Sequence, residues 1–132
     1  KFGIPEVKRG LAAAAGGLMR LPRQLPYRLA MELALTGDFL DASRALELGL
    51  INEVAESGQA LARAQALAAR IAANGPLAVK RSKQVVVQSQ DWATDEMFAK
   101  QQVIVQDVFG SEDAMEGATA FAEKRLPNWK GR

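Results

Sequence analysis

The sequence contains no cysteine and no histidine, and these two absences exclude several kinds of chemistry. Without cysteine the chain has no disulfide, no thiolate nucleophile and no zinc–thiolate site. Without histidine it cannot supply a Ser-His-Asp triad. Aromatic residues are also few, at 6% of the chain. Because histidine and cysteine are absent, acid–base catalysis within residues 1–132 must come from carboxylates, lysines or the single tyrosine, Tyr27.

The sequence also lacks a hydrophobic run long enough to cross a membrane. The longest stretch without strongly polar residues, 11–19, falls well short of the roughly 20 residues that a spanning helix needs. No signal peptide is recognisable, and the first residue is Lys1 rather than methionine, so we interpret the chain as part of a longer protein. Its 48% hydrophobic content predicts a folded chain, and its arginine- and alanine-rich usage favours a cytoplasmic protein.

Charge is nearly balanced overall but unevenly distributed. Seventeen basic and fifteen acidic residues give a net charge of +2, too small to predict a nucleic-acid partner. Residues 1–28 carry six basic side chains against Glu6 alone, and residues 124–132 carry four basic residues and no acidic one. This pattern favours a local anion-binding site, and it fits equally well a set of solvated charges without a role.

Local patterns in the first part of the chain predict a mixture of short strands and helices. Residues 1–4 are typical of a strand ended by proline, and residues 50–54 alternate weakly as a second strand. Pro26 and Gly37 bracket a predicted helix, and Asp41 is the expected N-cap of a shorter one. Pro22 is expected to interrupt the helical turn that follows Gly16-Gly17.

The later part of the chain is predicted to be entirely helical. Helices are expected over about 58–73 and about 77–90, separated by Asn74-Gly75-Pro76, then one capped by Thr94 and one opened by Ser111. We therefore divide the chain into residues 1–56, the end of an α/β layer, and residues 57–132, a helical domain. Its apolar stripes can pack on one another or against another subunit.

Three groups of residues can carry chemistry. Glu6 follows an apolar stretch and precedes a loop of small residues, and a carboxylate in partly apolar surroundings can exchange protons near neutral pH. The alternative is that Glu6 is an ordinary solvent-facing glutamate paired with Lys8 or Arg9. Gly16-Gly17 can present backbone N–H groups to an anion or serve close packing. Phe121 with Lys124 and Arg125 can form an aromatic and cationic platform for a nucleotide, the alternatives being a core phenylalanine and a lysine that interacts with the helix dipole.

Four blocks of the sequence resemble the C-terminal half of the enoyl-CoA hydratase/isomerase (crotonase) family, in order and spacing. The blocks are Phe2-Gly3-Ile4-Pro5-Glu6-Val7 with Gly10 and Gly16-Gly17; Leu35-Thr36-Gly37-Asp38 with Ala42, Ala45, Gly49-Leu50-Ile51-Asn52 and Val54; Asn74-Gly75-Pro76 with Lys83; and Asp113, Glu116-Gly117, Ala120-Phe121, Glu123-Lys124-Arg125, Pro127 and Trp129. The resemblance implies an α/β crotonase-like fold (ββα spiral), of which this mostly α-helical chain forms the end of the core and a C-terminal helical oligomerisation domain. Ala12-Ala13-Ala14-Ala15 departs from the proline and glycine of many members, which leaves the size of the acyl group open.

The resemblance also implies a function: a lyase that adds water across a trans-2-enoyl-CoA double bond in fatty-acid β-oxidation. Glu6 corresponds to one of two catalytic glutamates, and it would exchange a proton with the α-carbon. Phe121 and Lys124 match positions where a neighbouring subunit's last helix touches the adenosine and phosphate end of coenzyme A. No metal and no cofactor besides the coenzyme A thioester substrate is implied. The second glutamate and the oxyanion hole belong to the family's N-terminal half, so these 132 residues alone are expected to be inactive.

Other functions stay open at this point. An enoyl-CoA isomerase needs only one proton-shuttling carboxylate, and a non-catalytic acyl-CoA-binding protein needs none. A helical assembly module without chemistry is compatible with either, because the family forms homotrimers that often pair into hexamers. A nucleic-acid partner is not expected, since the basic residues are not interleaved with aromatics, and a membrane partner is not expected, since no hydrophobic run is long enough to span one.

Overall fold

The computed structural model describes residues 1–132, and more than half of them are α-helical. The seven helices are α1 (Gly17–Gln24), α2 (Tyr27–Thr36), α3 (Ala42–Glu47), α4 (Ala60–Ala72), α5 (Pro76–Gln88), α6 (Met97–Phe109) and α7 (Glu112–Glu123). Two short 3₁₀ helices cover Pro5–Arg9 and Ser89–Asp91. None of the helices combines the length and apolar character that crossing a membrane requires. The prediction of a mostly helical chain is confirmed.

The chain forms two compact units, Lys1–Leu61 and Ala62–Arg132. The predicted boundary after residue 56 lies a few residues before this division. In the first unit, α1 packs against α2. A small apolar core forms around Leu25, Ala30, Leu33 and Leu40, against which four further leucines pack.

The helix boundaries of the first unit follow the predicted signals, with one exception. Pro26 precedes α2, and Gly37 ends it with a φ of 66°, a left-handed conformation that glycine adopts without a steric cost. Asp41 caps α3, because its carboxylate accepts the backbone N–H of Arg44 at 2.7 Å. The exception is Pro22, which lies inside α1; the helix continues to Gln24 and the N–H of Leu25 still bonds to the carbonyl of Leu21 at 3.0 Å.

The two predicted strands do not form. Residues 1–4 contribute one isolated antiparallel bridge, in which Phe2 exchanges backbone hydrogen bonds with Leu40 at 2.9 and 2.8 Å. Residues 50–54 are turn and coil, because the backbone N–H groups of Leu50 and Ile51 both bond to the carbonyl of Ala45 at the end of α3. The donors that a sheet would need are used to terminate a helix instead.

In the second unit, most helix ends lie where the sequence places them. Asn74 closes α4, donating its side-chain amide to the carbonyl of Arg70 at 2.9 Å, and Pro76 begins α5. Ser111 caps α7 by accepting the backbone N–H of Ala114 at 3.0 Å. The expected Thr94 cap is wrong: residues 94–96 form a turn, and α6 begins at Met97 after Glu96.

Candidate functional site

Glu6 lies on the 3₁₀ helix Pro5–Arg9 rather than at the end of a strand. Pro5 occupies the first helical position, which suits its fixed φ and its missing N–H. The turn closes at Gly10, whose φ of 69° is left-handed. The N–H of Leu11 then bonds to the carbonyl of Glu6 at 3.1 Å. The backbone of Glu6 is therefore held by a closed helical turn, although the strand expected before it is absent.

The carboxylate of Glu6 has one buried oxygen without a partner. The residue is half-buried, and Oε2 is inaccessible to solvent and accepts no hydrogen bond. The ion pair with Lys8 that would have explained Glu6 as a surface residue does not form, since Lys8 Nζ bonds to Asp38 Oδ1 at 2.6 Å. That lysine also holds the pKa of Asp38 below its ordinary value through the hydrogen bond. A buried acceptor with no donor costs about 1–3 kcal/mol, so native structures seldom keep one without a role.

The glycine pair after Ala15 serves close packing. Gly16 has a φ of 99°, and a Cβ built on Gly17 would come within 3.1 Å of the Ile4 side chain. The start of α1 is therefore held against the residue that precedes the Glu6 turn. This contact favours the packing interpretation of Gly16-Gly17 over an anion site.

Two apolar cavities in the first unit share residues next to this turn. Their volumes are about 350 and about 270 Å³, and both are lined by Ile4 and Leu21. The smaller cavity has an almost entirely apolar lining, formed by Ile4, Leu18, Leu21, Pro22, Tyr27, Ala30, Met31, Ala34 and Leu35. Apolar surface of this kind accommodates hydrocarbon and excludes charged groups.

Phe121 and Lys124 lie together at the C-terminal end of α7, in the second unit. The Phe121 side chain is 87% exposed, so it is not the core residue that the alternative interpretation required. Lys124 has a φ of 54° and is the sole non-glycine residue of the chain with a positive φ. Its N–H bonds to the carbonyl of Phe121 at 3.3 Å, and the N–H of Arg125 bonds to that of Ala120 at 3.0 Å, the pattern of a Schellman cap.

Arg125 does not contribute a free cation to this pair. Its guanidinium binds both oxygens of Glu116, at 2.6 and 3.0 Å, and its Nε binds Glu123 at 2.6 Å. Glu116 also accepts the backbone N–H of Asn128 at 2.7 Å. The hydrogen bonds from Arg125 and Asn128 lower the pKa of Glu116 to about 2, and the bond to Glu116 raises the pKa of Arg125. The platform predicted from Phe121, Lys124 and Arg125 is thus reduced to the first two.

Other basic residues of the C-terminal segment are also paired with α7. Lys130 and Arg132 both form ion pairs with Glu112, at 3.2 and 3.0 Å. The buried carboxylate of Asp113 accepts the backbone N–H groups of Lys130 and Gly131, at 2.6 and 2.9 Å. The charge pattern of residues 124–132 therefore reflects a segment folded back on an acidic helix, which charge counting alone did not reveal.

Trp129 fastens the same segment to the corner between α4 and α5. Its indole N–H donates to the carbonyl of Ala73 at 2.8 Å. The ring lies against two glycines, Gly75 and Gly117, where an added Cβ would meet it at 3.6 and 3.2 Å. Two residues that carry the family resemblance, Trp129 and Gly117, thus contact each other, and no pattern of spacing identified that contact.

Comparison with known proteins places these features in a family context. The family model described as enoyl-CoA hydratase/isomerase matches residues 1–132. The chain is 46% identical over 132 residues to enoyl-CoA hydratase EchA19 of Mycobacterium tuberculosis, covering all of itself and 50% of that protein. It is 36% identical over 132 residues to 2,3-dehydroadipyl-CoA hydratase of Escherichia coli, covering all of itself and 52% of that protein. A carnitinyl-CoA dehydratase of Proteus mirabilis is 37% identical over 135 residues, with 99% of this chain and 52% of that protein covered.

The solved structures that match the chain include enoyl-CoA hydratases, as do its sequence relatives. Enoyl-CoA hydratase EchA1 of Mycobacterium marinum matches with a TM-score of 0.97 and 58% identity, covering 99% of this chain and 52% of that chain. An enoyl-CoA hydratase of Mycobacterium tuberculosis matches with a TM-score of 0.97 and 60% identity over the same shares. The chain thus spans about half the length of these relatives and aligns with their C-terminal half. The expected crotonase-like fold class is confirmed, with this chain as its mostly helical part.

Proposed function

The chain belongs to the enoyl-CoA hydratase/isomerase family, and from this premise we propose that it supplies the proton-transferring half of an enoyl-CoA hydratase. The observation that carries the proposal is the buried, unpartnered Oε2 of Glu6. A carboxylate oxygen held away from water with no donor can receive a proton from a reacting carbon or return one to it. The relatives named hydratase and dehydratase support this class of reaction.

In the proposed reaction, water adds across the C2–C3 double bond of a trans-2-enoyl-CoA. The water oxygen bonds to C3, and one water proton passes to the base that activates it. Glu6 gives the proton it carries to C2 as the enolate collapses, and the proton on the other base then returns to Glu6. The second carboxylate and the oxyanion hole correspond to the family's N-terminal half. The lyase activity therefore requires that half, and residues 1–132 alone are proposed to be inactive.

Separate groups of residues are proposed to contact the acyl group and the coenzyme A moiety. The apolar cavities lined by Ile4 and Leu21 favour a hydrocarbon acyl group. Phe121 and Lys124 are proposed to contact the adenosine and phosphate end of a coenzyme A bound by a neighbouring subunit, since one is an exposed aromatic and the other a cation. We further propose a homotrimer or hexamer in the cytoplasm and a role in fatty-acid β-oxidation, with no metal and no cofactor beyond the thioester substrate.

The test is turnover of crotonyl-CoA by the full-length protein, followed as loss of the enoyl absorbance. The Glu6→Gln variant keeps the shape of the side chain and is expected to lower kcat by about 10²- to 10⁴-fold. Glu32→Gln, at an exposed position on α2, is the matched control and should leave kcat unchanged. Absence of turnover by the wild type, or a Glu6→Gln variant as fast as wild type, would overturn the proposal.

A second candidate function is enoyl-CoA isomerisation, which Glu6 alone can support. The same buried oxygen can remove a proton from C2 of a 3-enoyl-CoA and return it to C4. Turnover of a 3-enoyl-CoA without hydration of crotonyl-CoA would favour the isomerase. The residue aligned with the second glutamate in the full-length sequence provides an independent check, because an isomerase does not need that carboxylate.

A further inference from the structure

We propose that Glu116 and Arg125 form a clasp that positions Lys124 for the anionic end of coenzyme A, and that Arg125 does not itself bind that anion. The inference rests on the proposed function, because it assumes the coenzyme A thioester as the ligand. The clasp consists of the two hydrogen bonds between the Arg125 guanidinium and both Glu116 oxygens, together with the bond from the Asn128 N–H to Glu116.

The geometry of the chain reversal links the clasp to Lys124. Glu116 and Arg125 are nine residues apart. In a continuous α-helix this separation would place them about 13.5 Å apart along the axis and on opposite faces. Their side chains can meet only because the chain reverses after α7, and the residue that reverses it is Lys124, with a φ of 54°. The clasp and the left-handed conformation of Lys124 therefore depend on each other.

The distribution of ion pairs leaves Lys124 available to a ligand. Arg125, Lys130 and Arg132 are each paired with carboxylates of α7. Lys124 is the remaining cation of residues 124–132, it is exposed, and no carboxylate pairs with it in the structure. It follows Phe121 by three residues, and that ring is 87% exposed. The pairing of its neighbours leaves one exposed cation three residues after one exposed aromatic ring, both open to an anionic, stacking ligand.

The residue type at the left-handed position also points to a role for the lysine side chain. A Schellman cap is formed most easily by glycine, which adopts a positive φ without steric cost. A lysine adds nothing to the cap hydrogen bonds, which are made by backbone atoms. The clasp holds the backbone in this conformation with a side chain attached, and this indicates a use for the side chain outside the cap.

The experiment compares two substrates and two matched ion pairs in the full-length protein. Crotonyl-CoA carries the adenosine and phosphates, whereas the crotonyl thioester of pantetheine lacks them. Glu116→Gln weakens the clasp, because it removes the negative charge and one of the two acceptor oxygens. Asp107→Asn is the control, because Asp107 also accepts a two-point bond from an arginine, between α5 and α6: Arg81 Nε donates to Oδ1 at 3.1 Å, and Arg81 Nη2 donates to Oδ2. Kinetic constants are measured for both substrates, with circular dichroism to verify folding.

Glu116→Gln is expected to raise KM for crotonyl-CoA about fivefold to tenfold, the loss of one charge-assisted contact, with kcat unchanged. Its KM for the pantetheine thioester should stay at the wild-type value, and Asp107→Asn should change neither KM. A purely structural role would change both substrates alike. Lys124→Ala should give the same selective increase for crotonyl-CoA.

Each outcome separates this inference from the proposed function. No turnover of either substrate by the wild type contradicts the proposed function. A selective KM increase for Lys124→Ala without one for Glu116→Gln overturns the clasp and leaves the assignment of Lys124 intact. An equal effect of Glu116→Gln and Asp107→Asn overturns the clasp as well. If Glu116→Gln does not fold, Arg125→Lys replaces it, since lysine keeps the charge but cannot form the two-point bond; an unchanged KM there counts against the clasp.

Discussion

The contact between Trp129 and Gly117 predicts a reversal in the effect of one substitution. Gly117 lies in the middle of α7, where glycine is less favourable than alanine by about 1 kcal/mol. In isolation, Gly117→Ala should therefore stabilise the helix. In this structure the new Cβ would lie 3.2 Å from the Trp129 ring, closer than most carbon contacts. The indole is fixed by its bond to Ala73, so it cannot easily move away.

Whether Gly117→Ala stabilises or destabilises the protein depends on the relative size of two effects. Overpacking against a fixed ring costs about 1–3 kcal/mol, which equals or exceeds the gain in helix propensity. Gly117→Ala in the wild-type background is thus expected to be neutral or to lower the free energy of unfolding by up to about 2 kcal/mol. Trp129→Ala by itself should cost about 3 kcal/mol, from the lost hydrogen bond and the half-buried ring. In the Trp129→Ala background, Gly117→Ala should become stabilising by about 1 kcal/mol, a coupling of about 1–3 kcal/mol.

The assay is urea unfolding of the four proteins of this double-mutant cycle, followed by circular dichroism because one variant lacks an indole. Gly110→Ala is the control: Gly110 has a negative φ, and a Cβ added there would meet no other atom within 4 Å. Its effect should therefore be small and equal in both backgrounds. If Gly117→Ala stabilises the protein by the same amount with and without Trp129, the reasoning from this contact is wrong.

Three further predictions concern the end of the chain. Lys124→Gly should raise the free energy of unfolding by about 1 kcal/mol, because glycine adopts a φ of 54° freely; thermal unfolding measures this, and an equal gain for Lys124→Ala would contradict it. Asp113→Ala should cost about 2–3 kcal/mol and expose the amides of Lys130 and Gly131 to hydrogen exchange; unchanged protection of those amides would argue against the role. Glu116, with its pKa lowered to about 2, should contribute stability that is complete above about pH 4.5 and is lost as the pH falls towards 2. The stability difference between wild type and Glu116→Gln should shrink across that window, and a constant difference would refute the assignment.

Local signals in the sequence were sufficient for most of the helices. Gly37, Asp41, Asn74 and Ser111 each end or begin a helix as predicted, because capping depends on side chains and backbone within a few residues. Pattern reasoning failed at residues 50–54, where weak alternation predicted a strand. A strand depends on a partner for its hydrogen bonds, and those donors were taken by the end of α3.

The candidate site shows the same division. The identity of Glu6, Phe121 and Lys124 as residues of interest came from the family resemblance, and it needed no coordinates. Their surroundings could be described only from the coordinates. The burial of the Glu6 oxygen and the ion pair of Arg125 with Glu116 depend on the tertiary structure, which residue spacing does not encode.

The sequence by itself determined which chemistry is possible, which family the chain resembles and where most helices start and stop, since these depend on residue types and on neighbours along the chain. Only the tertiary structure decided which charges remain available. Ion pairing depends on where the chain reverses, and the reversal at Lys124 brings Arg125 back to Glu116 from nine residues away. The four basic residues of 124–132 are thereby reduced to one unpaired lysine, three residues after an exposed phenylalanine.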